Sequence, residues 1–129
     1  MTAVRDFEDL AIFQKARALS KKIYEITEKE KFKRDYRFVA QIHASVGSIM
    51  DNIAEGFERN GNKEFVNFLF IAKGSCGEVR SQLIRANDVG YLESEVYKEL
   101  YIECRKLSAG IMNFIIEIKN SDFSGPKYK

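Results

Sequence analysis

The chain holds one histidine, His43, and two cysteines, Cys76 and Cys104. Nucleophilic catalysis needs a base beside a serine or cysteine, and His43 is the sole imidazole, on a stretch rich in apolar residues. Ser45 and Ser48 are its nearest hydroxyls in sequence. In a helix such small residues also serve to admit a neighbouring helix. A di-iron site would need inward carboxylates and two Glu-x-x-His pairs, yet the residue three before His43 is Ala40. Cys76 and Cys104 form neither a CxxC pair nor a metal-ligand cluster. The glycine-rich run GSCGEV, from Gly74 to Val79, has helical patterning and lacks the lysine of a phosphate loop. No catalytic, metal or cofactor residue is therefore assigned, and the expectation is a protein that is not an enzyme. His43 is expected to pair with Glu78.

The charged residues offer different chemistry. Lys15, Lys22 and Lys29 recur every seven residues, and Lys31, Lys33, Arg34 and Arg37 crowd the segment that follows. A stripe of this kind tracks phosphates, with an affinity that salt weakens. Glu25, Glu28, Glu30 and Asp35 are interleaved with it, as in a solvated mixed-charge face. Both readings stand, and the nucleic-acid candidates are Lys15, Lys22, Lys29, Lys33, Arg34, Arg37 and Arg59. Glu55 and Arg59, spaced i, i+4, make a surface pair worth about 0.2 to 0.5 kcal/mol.

The elements that position these residues follow from spacing. Over 129 residues the chain is 45% hydrophobic and 31% charged, with a net charge of +2 and one proline, Pro126. That is one soluble helical domain rather than a strongly basic nucleic-acid binder. No run approaches the roughly 18 apolar residues of a membrane span, and MTAVRDFEDL lacks a secretory apolar region. A cytoplasmic protein with no membrane partner is expected.

Apolar residues alternate by threes and fours in four seams. These are Ile12 to Ile26, Val39 to Ile53, Phe65 to Ala86, and Tyr97 to Ile118. They predict helices over about 7–30, 36–59, 62–87 and 94–119 in a single domain, 1–120, with a loosely ordered tail, 121–129. Asp6 and Asp35 are candidate caps, and Gly61 and Gly90 suit the turns. Short links predict an all-α fold, an antiparallel up-down-up-down four-helix bundle.

Between Phe38 and Ala54 the only formal charge is Asp51. Every helix of a small bundle keeps an outer face, so this one predicts a further cover, most simply a second copy. Centring the middle turn near residue 60.5 sets Gly47 opposite Gly74, Ala44 opposite Gly77, and His43 level with Glu78. Mid-helix glycines cost about 1 kcal/mol each relative to alanine, which predicts a close backbone crossing there. Cys76 is expected level with Cys104 as a core thiol. The packing and oligomer candidates are Ala44, Ser45, Gly47, Ser48, Asn52, Glu55, Gly74, Gly77 and Glu78. Ser45, Ser48 and the end of this helix are the candidates for intersubunit contact.

The run NIAEG, Asn52 to Gly56, then Arg59, KEFVNFL (Lys63 to Leu69), Ala72, Gly74, Ser75, Glu78, Gln82, Leu83, Ala86 and GYL (Gly90 to Leu92) resembles a known family. It is the four-helix-bundle proteins encoded in intervening sequences of bacterial 23S ribosomal RNA genes. DFEDLAIFQKA, Asp6 to Ala16, resembles that family's N-terminal motif. The resemblance implies a homopentameric ring. It extends to the accessory variability determinant proteins of diversity-generating retroelements, which implies RNA or DNA and a polymerase-type protein as partners. Phe13 stands where the family often has tryptophan, Ile42 to Ala44 where it often has two arginines, and Met50 where it often has proline. The reading is a non-enzymatic homo-oligomeric scaffold or accessory protein with nucleic-acid candidates on its basic surface. The alternative is a protein-interaction module with no nucleic-acid role.

Overall fold

The computed structural model describes residues 4–121, and every regular element among them is helical. A 3-10 turn, Phe7–Asp9, precedes α1 (Ala11–Ile26), α2 (Glu30–Lys33), α3 (Tyr36–Glu58), α4 (Asn62–Asp88) and α5 (Ser94–Lys119). α3 packs between α1 and α4, and α5 packs on α4 and α1, so the long helices enclose one hydrophobic core. No helix among the described residues is long and apolar enough to cross a membrane. The expected tail, 121–129, lies outside the described residues apart from Ser121.

The segment expected as one helix over 7–30 is divided. Asp6 does cap, but it caps the 3-10 turn: its Oδ1 accepts the Phe7 amide at 2.8 Å, while Asp9 Oδ2 accepts the amides of Arg5 and Asp6. Such local side-chain bonds offer the backbone an alternative to a helix. Leu10 then follows in extended conformation, buried, and α1 starts after it. The turn seats Phe7 against Phe13 at 5.0 Å and Phe57 at 6.4 Å.

The polar run from Glu28 to Arg37 is more than a connection. Its single turn α2 buries Phe32 completely, 5.1 Å from the Phe38 ring and 5.0 Å from Tyr91. Asp35 caps α3 by accepting the Phe38 amide at 3.3 Å, and its other oxygen accepts the Tyr91 hydroxyl at 2.7 Å. Gly61 (φ 127°) and Gly90 (φ 81°) hold the two later turns in backbone conformations that glycine adopts without strain.

The glycine expectation is overturned. A methyl group built at Gly47, Gly74 or Gly77 would meet nothing within 4 Å, so no intrachain backbone crossing explains them. The close approach lies instead at Gly56. A β-carbon there would stand 2.7 Å from Phe68 Cβ and 2.9 Å from Phe65 Cδ1, where the α3–α4 hairpin closes. The register differs as well, because Ser48 meets Ser75, Ser45 meets Gln82, and Gln41 meets Arg85. Each partner on α4 lies two to six residues further along than the turn-centred estimate places it. Long side chains reaching along the helices make up part of that offset.

Candidate functional site

A cleft between α3 and α4 is lined by Gln41, Ala44, Ser45, Glu78, Ser81, Gln82 and Arg85, and the small residues of the two helices continue along the same outer side. Ala44, Gly74 and Gly77 are exposed and Gly47 is half-buried. Beneath them runs a polar ladder. The Ser48 and Ser75 hydroxyls lie 2.9 Å apart, Gln82 Nε2 donates to Ser45 Oγ at 3.0 Å, and Ser45 and Ser75 donate to carbonyls of their own helices. Ser45 and Ser48, expected at a subunit contact, thus spend their hydroxyls joining α3 to α4. Asn52 donates to the Ser48 carbonyl and hydroxyl within its own helix. Gln82 Oε1 is buried and accepts no bond among the described residues, an unmet demand for a donor.

Sequence reasoning missed the second stripe of α4. Phe70, Gly77 and Ile84 are seven apart, and Ile71, Gly74, Glu78, Ser81 and Arg85 follow by threes and fours. All of them are exposed, with Phe70 at 42%, Ile71 at 52% and Ile84 at 42%. α4 therefore carries one apolar seam for the core and a second, gapped by glycine, for the outside. The signal was present in the sequence as a helix whose apolar residues occupy too much of its circumference.

His43 does not pair with Glu78, which lies exposed in the cleft. Its Nε2 lies 2.9 Å from Thr27 Oγ1, and its ring stacks on Tyr24 at 3.8 Å. The Thr27 proton goes to the Tyr24 carbonyl, so Nε2 is the donor and the neutral ring suffices. Burial holds the His43 pKa below its ordinary value, partly opposed by Glu28. Below pH 6.5 the unfolded chain takes up a proton that the folded chain resists, so stability falls as pH drops through the lowered folded value. Thermal melts between pH 7.5 and 5 should show this decline. His43→Gln should flatten it, and an unchanged slope in that variant would contradict the assignment.

Cys76 and Cys104 are buried free thiols, both pushed up to about 12 by burial, and each belongs to the core. A thiol held neutral in this way is a poor nucleophile. Among the described residues no group of His, Cys, Asp and Glu is arranged to hold a metal ion.

The basic candidates separate by partner. Lys22 is hydrogen-bonded to Glu103 on α5, which raises its pKa; Arg34 pairs with Glu30; Arg59 pairs with Glu55 at 2.8 Å and lies over the Phe68 ring. Lys15, Lys29, Lys33 and Arg37 are exposed and form no salt bridge among the described residues.

Comparison with solved structures finds the same fold in a crystal structure of a protein of unknown function. That protein is from the S23 ribosomal protein family of Bacteroides thetaiotaomicron VPI-5482. The TM-score is 0.74 at 21% identity, over 81% of this chain and 98% of that one. No curated protein sequence matches the chain. The family model for 23S rRNA-intervening sequence proteins matches residues 8–113, from within the 3-10 turn through α1 to α4 and most of α5. The chain belongs to the 23S rRNA-intervening sequence protein family.

Proposed function

We propose that the protein is a non-enzymatic, homo-oligomeric scaffold or accessory protein of the cytoplasm. In this reading it is an antiparallel up-down-up-down four-helix bundle that assembles as a homopentamer through the outer face of α3 and α4. The observation that carries the reading is the second stripe of α4. Gly74 and Gly77 on this stripe cost about 1 kcal/mol each, and a β-carbon at either would meet nothing within 4 Å among the described residues. Phe70, Ile71 and Ile84 stand exposed beside them. Knobs next to gaps on one helix face suit a closely approaching helix from another copy. The number five comes from the family resemblance alone.

A second reading adds nucleic acid, and the unpaired cations Lys29, Lys33 and Arg37 near one end of the bundle favour it. A polymerase-type protein is the example partner of the alternative, an interaction module with no nucleic-acid role. Native mass spectrometry should show multiples of the 14.9 kDa chain, with five copies predominant. The assembled species should retain structured RNA or DNA at low salt and release it as salt rises. A monomer at micromolar concentration would remove the first reading, and no retention at low salt would remove the second. Recovery of a protein partner after nuclease treatment, without nucleic-acid retention, would favour the interaction-module alternative.

A further inference from the structure

At the end of the bundle where α3 begins and α4 finishes, a cleft of about 430 Å³ opens beside Arg85, Arg37, Val89 and Tyr91. The Arg85 guanidinium carbon lies over the Phe38 ring, 4.4 Å from its centroid, and the group donates one bond to Gln41 Oε1 at 3.2 Å. That is an arginine fixed by an aromatic face and a neutral amide. Neither Arg85 nor Arg37 forms a salt bridge among the described residues.

Two carboxylates stand nearby. Asp35 is engaged at both oxygens, by the Phe38 amide and the Tyr91 hydroxyl. Asp88 lies one turn beyond Arg85 without forming a salt bridge. The remaining guanidinium donors of Arg85 thus have no acceptor among the described residues.

We propose that this cleft binds a phosphoryl group, with Arg85 as the principal ligand and Arg37 as the second. A guanidinium held over a ring presents its donors in the planar fork that phosphate oxygens match, and it loses little freedom on binding. Two guanidiniums suit a dianion better than a single carboxylate. The volume is in the range of small-ligand sites. Arg85 stands at the C-terminal end of the outer stripe of α4, so the site borders the proposed assembly face and is complete within one chain. The phosphoryl group can come from a small phosphorylated molecule or from a nucleic-acid backbone.

The test titrates the full-length protein with inorganic phosphate, adenosine monophosphate and a short single-stranded oligonucleotide, following the Arg85 Nε–Hε resonance. Light scattering on the same samples reads assembly separately. That resonance should shift with at least one phosphate probe and not with acetate at equal ionic strength. Arg85→Met and the charge-preserving Arg85→Lys should each weaken binding roughly tenfold or more, with the helical circular dichroism of the folded chain retained. A saturable response to phosphate or the mononucleotide identifies a small ligand. A response to the oligonucleotide alone identifies a phosphodiester chain. No shift with any probe, an equal shift with acetate, or binding that survives both Arg85 variants would overturn the proposal.

Discussion

Phe32→Ala should cost about 3–5 kcal/mol of folding stability, the largest loss expected from one substitution in this chain. The residue sits in a run of charges and has no exposed surface. Its ring touches Phe38 at the start of α3 and Tyr91 after α4, and so ties α2 to two long helices. Removing it opens a void that the surrounding Phe38, Tyr91 and Asp35 arrangement cannot fill, because Tyr91 is held by its bond to Asp35. Since a domain's total stability is about 5–15 kcal/mol, the variant should be close to unfolding. Urea denaturation at fixed protein concentration, followed by circular dichroism, measures the loss. Phe32→Leu should fall well short of it, and an alanine variant losing less than about 1 kcal/mol would place Phe32 outside the core.

The second large effect separates the glycines by location. Gly47→Ala, Gly74→Ala and Gly77→Ala should each stabilise the isolated fold by about 0.5–1 kcal/mol, because the added methyl meets open space and the helix gains propensity. Gly56→Ala should do the reverse. Its methyl would press on Phe68 Cβ and the Phe65 carbonyl, groups close to the backbone that cannot swing away, at a cost of about 1–3 kcal/mol. On the outer face the effect belongs to association. Gly74→Leu and Gly77→Leu leave the fold intact but obstruct a closely packed second copy. An overpacking cost of about 1–3 kcal/mol weakens association roughly 5- to 150-fold. Chemical denaturation reads the first quantity and mass measurement the second, so the two consequences of one substitution can be told apart.

Much of the core was legible. The alternation of threes and fours marked Ile23, Ile42, Val46, Ile53, Leu69, Leu83 and Ile111, all fully buried, because helical geometry alone brings such residues to one face. Val39, Tyr97 and Phe114, placed on the same seams, are only partly buried, while Ile115 was passed over and is fully buried. Seam position tells which side of a helix faces inward; how deeply depends on the neighbour.

The lateral register was not legible, since a turn of two or three residues allows several offsets between α3 and α4. The glycine roles failed with it: an error of a few residues turned outward gaps into an apparent backbone crossing. Phe32 was hidden because one apolar residue in a one-turn helix has no periodicity to reveal it. His43 found Thr27 and Tyr24 on the first helix rather than Glu78 on α4, a matter of which face of α3 it occupies. Of the basic residues, the i, i+4 pairs of Arg34 with Glu30 and Arg59 with Glu55 follow from spacing; that Glu103 neutralises Lys22 depended on the contact between α1 and α5.

The stretch from Phe38 to Gly56 is short of charge for two separate reasons. One side faces the core, and the other holds small and uncharged residues over the polar ladder to α4. The account stands on that outer side being covered by another copy. Multi-angle light scattering of the wild-type chain and Gly74→Leu, at the same micromolar concentration, addresses it most directly. The account predicts a wild-type mass that is a multiple of 14.9 kDa and a variant of lower mass with unaltered helical circular dichroism. A wild-type monomer, or a variant that keeps the wild-type mass, would contradict it.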